Sequence, residues 1–94
     1  MEKISETGIE KFREPIGSDG LVMNIRVETT AEGKHVNAPI TRDDKQLAQL
    51  IRENDGSTLL TIRKDAVLSA EEFGEIFTKS GSVLAEIYGI GKDE

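Results

Sequence analysis

The chain has 94 residues, a net charge of −6 and no cysteine. That length builds one core and not two, and the acidic balance gives no general attraction to phosphate backbones or anionic lipid. Disulfide staples and thiolate chemistry are excluded, and the absence of thiols fits a reducing, cytoplasmic setting.

Residues 1–8 are polar apart from Ile4 and are expected to form a mobile arm ahead of a single α+β domain at 9–91, with 92–94 as a frayed tail. The opening stretch lacks the continuous apolar run of a signal peptide, and no later window approaches the ~20 apolar residues of a membrane span. Ile9 to Ile16 reads as a short strand that Pro15 confines to an edge, because proline donates nothing to a ladder.

From Leu21 the alternation is plain: Leu21, Met23, Ile25 and Val27 take one face, and Val22, Asn24, Arg26 and Glu28 the other. A reversal at Ala31-Glu32-Gly33-Lys34 leads into His35–Ile40, giving a hairpin over about 20–40. A four-residue loop would pair Thr30 with His35 and Val27 with Ala38, keeping apolar side chains together. Pro39 suggests that the returning strand is an edge or ends there.

Thr41 followed by Asp43 and Asp44 has the form of a helix N-cap, with Leu47, Leu50 and Ile51 as an i, i+3, i+4 stripe and Asn54-Asp55-Gly56 as the stop. A helix is therefore expected over about 42–53. Residues 57–64 read as a further strand, with Leu60 and Ile62 on one side and Thr61 and Arg63 on the other.

The strongest local signal comes next. Ser69 and Glu72 have capping-box spacing, and Leu68 and Phe73 occupy the two positions of a hydrophobic staple. The helix they start is expected over 70–88, either continuous or broken at Gly81, since glycine costs about 1 kcal/mol relative to alanine inside a helix. The expected architecture is thus α+β: a small antiparallel sheet from the 20–40 hairpin and the 57–64 strand, packed against helices near 42–53 and 70–88.

Chemistry is sparse. His35 is the lone imidazole and reads as a turn-flanking residue without a nucleophile motif or a second metal ligand. The carboxylate pairs Asp43/Asp44 and Glu71/Glu72 fall in expected first helical turns, where the dipole favours negative charge. No catalytic, cofactor-binding or metal-ligating residue is assigned, and the chain reads as a non-enzyme.

The reading of function is a small binding or regulatory module acting by protein–protein association, as a homodimer or with another protein, and without a membrane. Its association face would be the apolar stripe Phe73, Ile76, Phe77, Leu84, Ile87 and Tyr88. Strand addition at Ile9–Ile16 or Val36–Ile40 is a second route. The alternative is a nucleic-acid-binding regulator using Asn24, Arg26, Thr61, Arg63 and Lys64, although the net charge disfavours it. The order strand, capped helix, Gly-Ser, helix from Thr58 to Ile90 resembles the layout of ribbon-helix-helix regulators. That resemblance implies a strand pair from a dimer entering the major groove.

Overall fold

A computed structural model of the chain describes residues 2–6 and 9–89. Six strands follow one another as β1 (Glu2–Glu6), β2 (Ile9–Ile16), β3 (Leu21–Thr30), β4 (Gly33–Arg42), β5 (Lys45–Arg52) and β6 (Thr58–Ile62), and one helix, α1 (Ala70–Tyr88), ends the fold. The strands form a single antiparallel meander in chain order, so β1 and β6 are its edges. The fold is α+β with one small sheet and one helix. Glu2–Glu6, expected within the N-terminal arm, pair with β2 through Glu2 opposite Arg13 and Glu6 opposite Ile9. The expected tail at 92–94 lies outside the described residues.

Short turns dictate this simple order, because antiparallel neighbours need only a few residues to reverse. Thr30 pairs with Gly33 and Val27 with Val36, so the β3–β4 loop is the two residues Ala31-Glu32 and not the expected four. The difference of two residues leaves every side chain on its expected face, which is why Val36, Ala38 and Ile40 are buried as the pattern requires.

The expected helix at 42–53 is a correction. Asp43 and Asp44 both adopt positive φ (54° and 65°) and form the two-residue turn between β4 and β5. Aspartate tolerates this left-handed region better than most residues, and two such positions in succession are what a tight hairpin turn of the right twist demands. The helix-like spacing that follows has a specific origin. Ile40 pairs with Ala48 but Thr41 with Gln46, so Leu47 is one extra residue in β5. This bulge buries Leu47 and Ala48 in succession and interrupts the alternation that would have marked a strand.

Both prolines sit inside the sheet. Pro15 falls where β1 has already ended, since β1 reaches only to Arg13. Pro39, contrary to expectation, is in the interior strand β4, opposite Gln49 of β5. The β3–β4 pairing lapses at this point, running through Met23–Ile40 and resuming at Arg26–Asn37. The Asn24 side-chain amide bridges the gap, donating to Pro39 O at 3.5 Å and Thr41 Oγ1 at 3.2 Å.

One face of the sheet makes the core. Leu21, Met23, Ile25, Val27, Val36, Ala38, Ile40, Ala48 and Leu50 are each at most 2 % exposed, and Ile76 and Val83 of α1 lie on top of them. The helix begins at a complete capping box: Ser69 Oγ accepts from Glu72 N (3.1 Å), and Glu72 Oε1 accepts from Ser69 N (3.0 Å). It runs through Gly81 without a break and closes at Gly89 in the left-handed region, with the Gly89 N–H donating to Ala85 O.

Two substitutions test these local arguments. Replacing Asp43-Asp44 by Asn-Gly keeps the turn and removes left-handed strain and adjacent like charge, with an expected gain of about 0.5–1 kcal/mol in chemical denaturation. Were residues 42–53 helical, the same change would destabilise. Ser80 is buried in the helix–sheet interface and its hydroxyl has no hydrogen-bond partner. Ser80→Ala is expected to stabilise by about 1 kcal/mol in the same assay, since it removes an unsatisfied buried group.

Candidate functional site

The residues expected to form one association stripe divide into two sets. At about 100° per residue, Ile76, Ser80, Val83 and Ile87 turn toward the sheet, while Phe73, Phe77, Leu84 and Tyr88 fall on one flank. Ile76 is fully buried, and Leu84, Ile87 and Tyr88 pack partly on the core. Phe73 and Phe77 remain 46 % and 54 % exposed, stacked edge-to-face with ring centroids 5.4 Å apart.

The direction of that flank follows from polar contacts. On the opposite side of the helix Lys79 donates to Glu14 of β2 at 2.8 Å, and Glu75 lies against Gly17 beyond the end of β2. Tyr88, on the phenylalanine side, lies under the Arg52 guanidinium of β5 at 4.6 Å and donates to Lys34 O at 3.2 Å. Phe73 and Phe77 therefore turn away from β2, toward the β5–β6 side.

That side ends in an open edge. Thr58-Leu59-Leu60-Thr61-Ile62 pairs only with β5, has no charged residue and no proline, and presents Leu59 at 60 % exposure. The other edge, β1, has Glu2, Lys3 and Glu6 among five residues. Charged residues guard edges against pairing with another chain, so β6 is the unguarded one. The edges expected at Ile9–Ile16 and Val36–Ile40 are corrected: β2 and β4 are flanked on both sides.

The residues of the alternative reading are spread out. Asn24, Arg26 and Thr61 share the uncovered sheet face, but β4 and β5 separate β3 from β6, about 14 Å at the usual strand spacing. Arg63 follows the end of β6 and pairs with Asp65 at 3.4 Å, and Lys64 is exposed beyond it. The continuous α1 leaves no second helix, so the ribbon-helix-helix layout is absent from the described residues. The uncovered face instead gathers Lys11 and Arg13 of β2 around Arg26. Their alternation with Glu10, Phe12 and Glu14 was the signal for this, hidden because β2 lacks apolar residues at alternate positions.

Other polar groups make contacts within the fold. His35 lies in β4 with Nε2 3.5 Å from Glu53 Oε1. Arg42 reaches from the end of β4 to Glu72 Oε2 (2.6 Å) and Val67 O (2.9 Å), tying the β4–β5 turn to the helix start. No group of three or more His, Asp or Glu among the described residues is placed to hold a metal. No described helix is long and apolar enough to cross a membrane. No protein-family model matches the chain, and neither does any curated protein or solved structure.

The helix clamps make stability acid-sensitive. The Arg42 guanidinium, followed by the Ser69 backbone N–H, holds the Glu72 carboxyl below its ordinary value, and Lys79 does the same to Glu14. Asp55 is lowered by the Ser57 hydroxyl and backbone N–H. Stability from a lowered carboxyl is present above its unfolded value and is lost as pH falls through the folded one. Thermal melts are expected to be level from neutrality to about pH 5 and to fall below about pH 4, beneath the usual carboxylate range. Glu72→Gln, which keeps an oxygen for the cap, should melt lower at neutral pH and show a shallower acid limb.

Proposed function

We propose that this chain is a non-enzymatic association module that works as a homodimer joined along β6. The observation that carries the reading is the unguarded β6 edge, with apolar side chains standing open beside it. Antiparallel pairing of two β6 strands about Leu60 places Leu60 against its own copy and Leu59 opposite Thr61. Partners in that register have the same parity, so both helices stay on one side of a continuous twelve-stranded sheet. The core-facing Leu60 and Ile62 of the two copies become neighbours, and the exposed Phe73 and Phe77 flanks turn toward each other across them.

Charge is compatible with the second copy as the occupant. Glu53 and Asp55 precede β6, and Arg63, Lys64 and Asp65 follow it, Arg63 being paired with Asp65 within the chain. A two-fold antiparallel junction leaves Lys64 of each strand to meet the acidic end of the other.

Sedimentation equilibrium should find a dimer at micromolar concentration. The double variant Leu59→Lys/Thr61→Lys sets lysines directly opposite each other across the junction at two solvent-exposed positions. It should weaken the dimer by roughly a hundredfold or more while leaving the circular dichroism spectrum intact. A wild-type chain that stays monomeric across the accessible concentration range refutes the reading, as does a double variant that dimerises as well as the parent.

A further inference from the structure

The uncovered face of the sheet, away from the β6 edge, holds a concavity of about 350 Å³ whose lining includes Lys11, Phe12, Arg13, Arg26, Asn37 and Pro39. This volume lies in the range of small-molecule sites. It sits where the β3–β4 pairing lapses at Ala38 and Pro39, so the depression follows from the break that proline makes in the ladder.

The charge at this place runs against the rest of the chain. The protein is acidic overall, yet Lys11 stands directly opposite Arg26, and Arg13, paired with Asn24, is the diagonal neighbour of Arg26. Lys11 engages another group of the chain, whereas Arg13 and Arg26 remain a diagonal pair of like charges whose repulsion a bound anion would relieve. Arg13 and Arg26 are exposed and form no ion pair among the described residues. Diagonal neighbours have side chains about 7–8 Å apart, close enough for two long guanidinium arms to converge on one oxyanion.

The surroundings complete the cradle. Asn37, opposite Arg26, accepts from Gln49 Nε2 through Oδ1 at 2.8 Å, which orients its amide and leaves the NH₂ group to donate. Pro39 and the arginine stems provide apolar walls. The acidic neighbours border the depression: Glu28 lies further along β3 opposite His35, and Glu2 is opposite Arg13 at the β1 edge. Phe12 and Ile25, a cross-strand pair whose side chains belong to the core face, also border the concavity, and the His35 imidazole stands on the uncovered face two residues from Asn37 along β4. That is fewer rings than the row on which successive bases of a single strand stack.

We infer that the concavity binds a phosphorylated small molecule. Its phosphate sits between Arg13 and Arg26 with Asn37 alongside, and a flat apolar portion rests on Pro39. The site stands independently of the β6 junction.

The test is a titration of the ¹⁵N-labelled full chain at low salt with adenosine 5′-monophosphate, inorganic phosphate and oligothymidylate as separate probes. The monophosphate should shift amides at 11–13, 24–26 and 37–39 at millimolar concentration or below. Arg13→Ala/Arg26→Ala should weaken it by about tenfold or more, as for loss of charged hydrogen bonds, and Arg63→Ala should leave it unchanged. Both arginines are exposed, and an unchanged melting temperature verifies the fold of the double variant. Absent shifts, shifts scattered over the surface, or an unaltered affinity in the double variant overturn the inference. Inorganic phosphate binding as tightly as the nucleotide overturns its apolar half. Oligothymidylate binding far more tightly through the same residues replaces the small molecule with a nucleic-acid strand.

Discussion

Everything in this molecule depends on covering one apolar sheet face with one helix. A six-stranded meander is about 24 Å wide at ordinary strand spacing, while a helix with its side chains is 10–12 Å across. The helix therefore cannot shield the whole sheet, and its placement decides which parts stay open. Burial of Ile76 and Val83 on the central strands supplies the non-directional attraction. Directional contacts fix the position.

Those contacts come largely from the two ends of β4. Arg42, at one end, grips Glu72 and Val67 at the start of the helix. Lys34, at the other, donates to Ile87 O at 3.0 Å and lies near the Tyr88 ring. The last turn of α1 has no basic residue of its own, so Lys34 supplies from the sheet the positive charge that a helix C-terminus favours. With Lys79 held by Glu14 on the β2 side, the helix is drawn toward the middle and first half of the sheet. The consequence is asymmetry: the β6 side is left with a bare edge and two unshielded phenylalanines.

The two faces of the sheet thus divide the work of the fold. The covered face is an ordinary apolar core. The uncovered face is polar, knit by Asn24 to Pro39 and Thr41 and by Gln49 to Asn37, and its cations gather where proline interrupts the pairing. A proline in an interior strand weakens a ladder, and the diagonal Arg13 and Arg26 on neighbouring strands add like-charge repulsion. Both departures from the locally most stable arrangement fall at one place.

Features governed by near neighbours were legible in the sequence. The Ser69/Glu72 capping box, the alternation of Leu21 to Val27 and the apolar side of 57–64 appear as read, because capping geometry and strand period need only residues within a turn or a pleat. The segment 45–52 was not, because a bulge at Leu47 mimics helical spacing and Asp43-Asp44 serves a turn as readily as a cap. Only pairing partners distinguish those alternatives. The same holds for the surfaces: that β6 is an edge, that β2 and β4 are not, and that Lys11 and Arg13 stand beside Arg26 are facts of strand order. Eight residues drawn from three strands make a depression only once the register is set, and register is a property of the whole sheet.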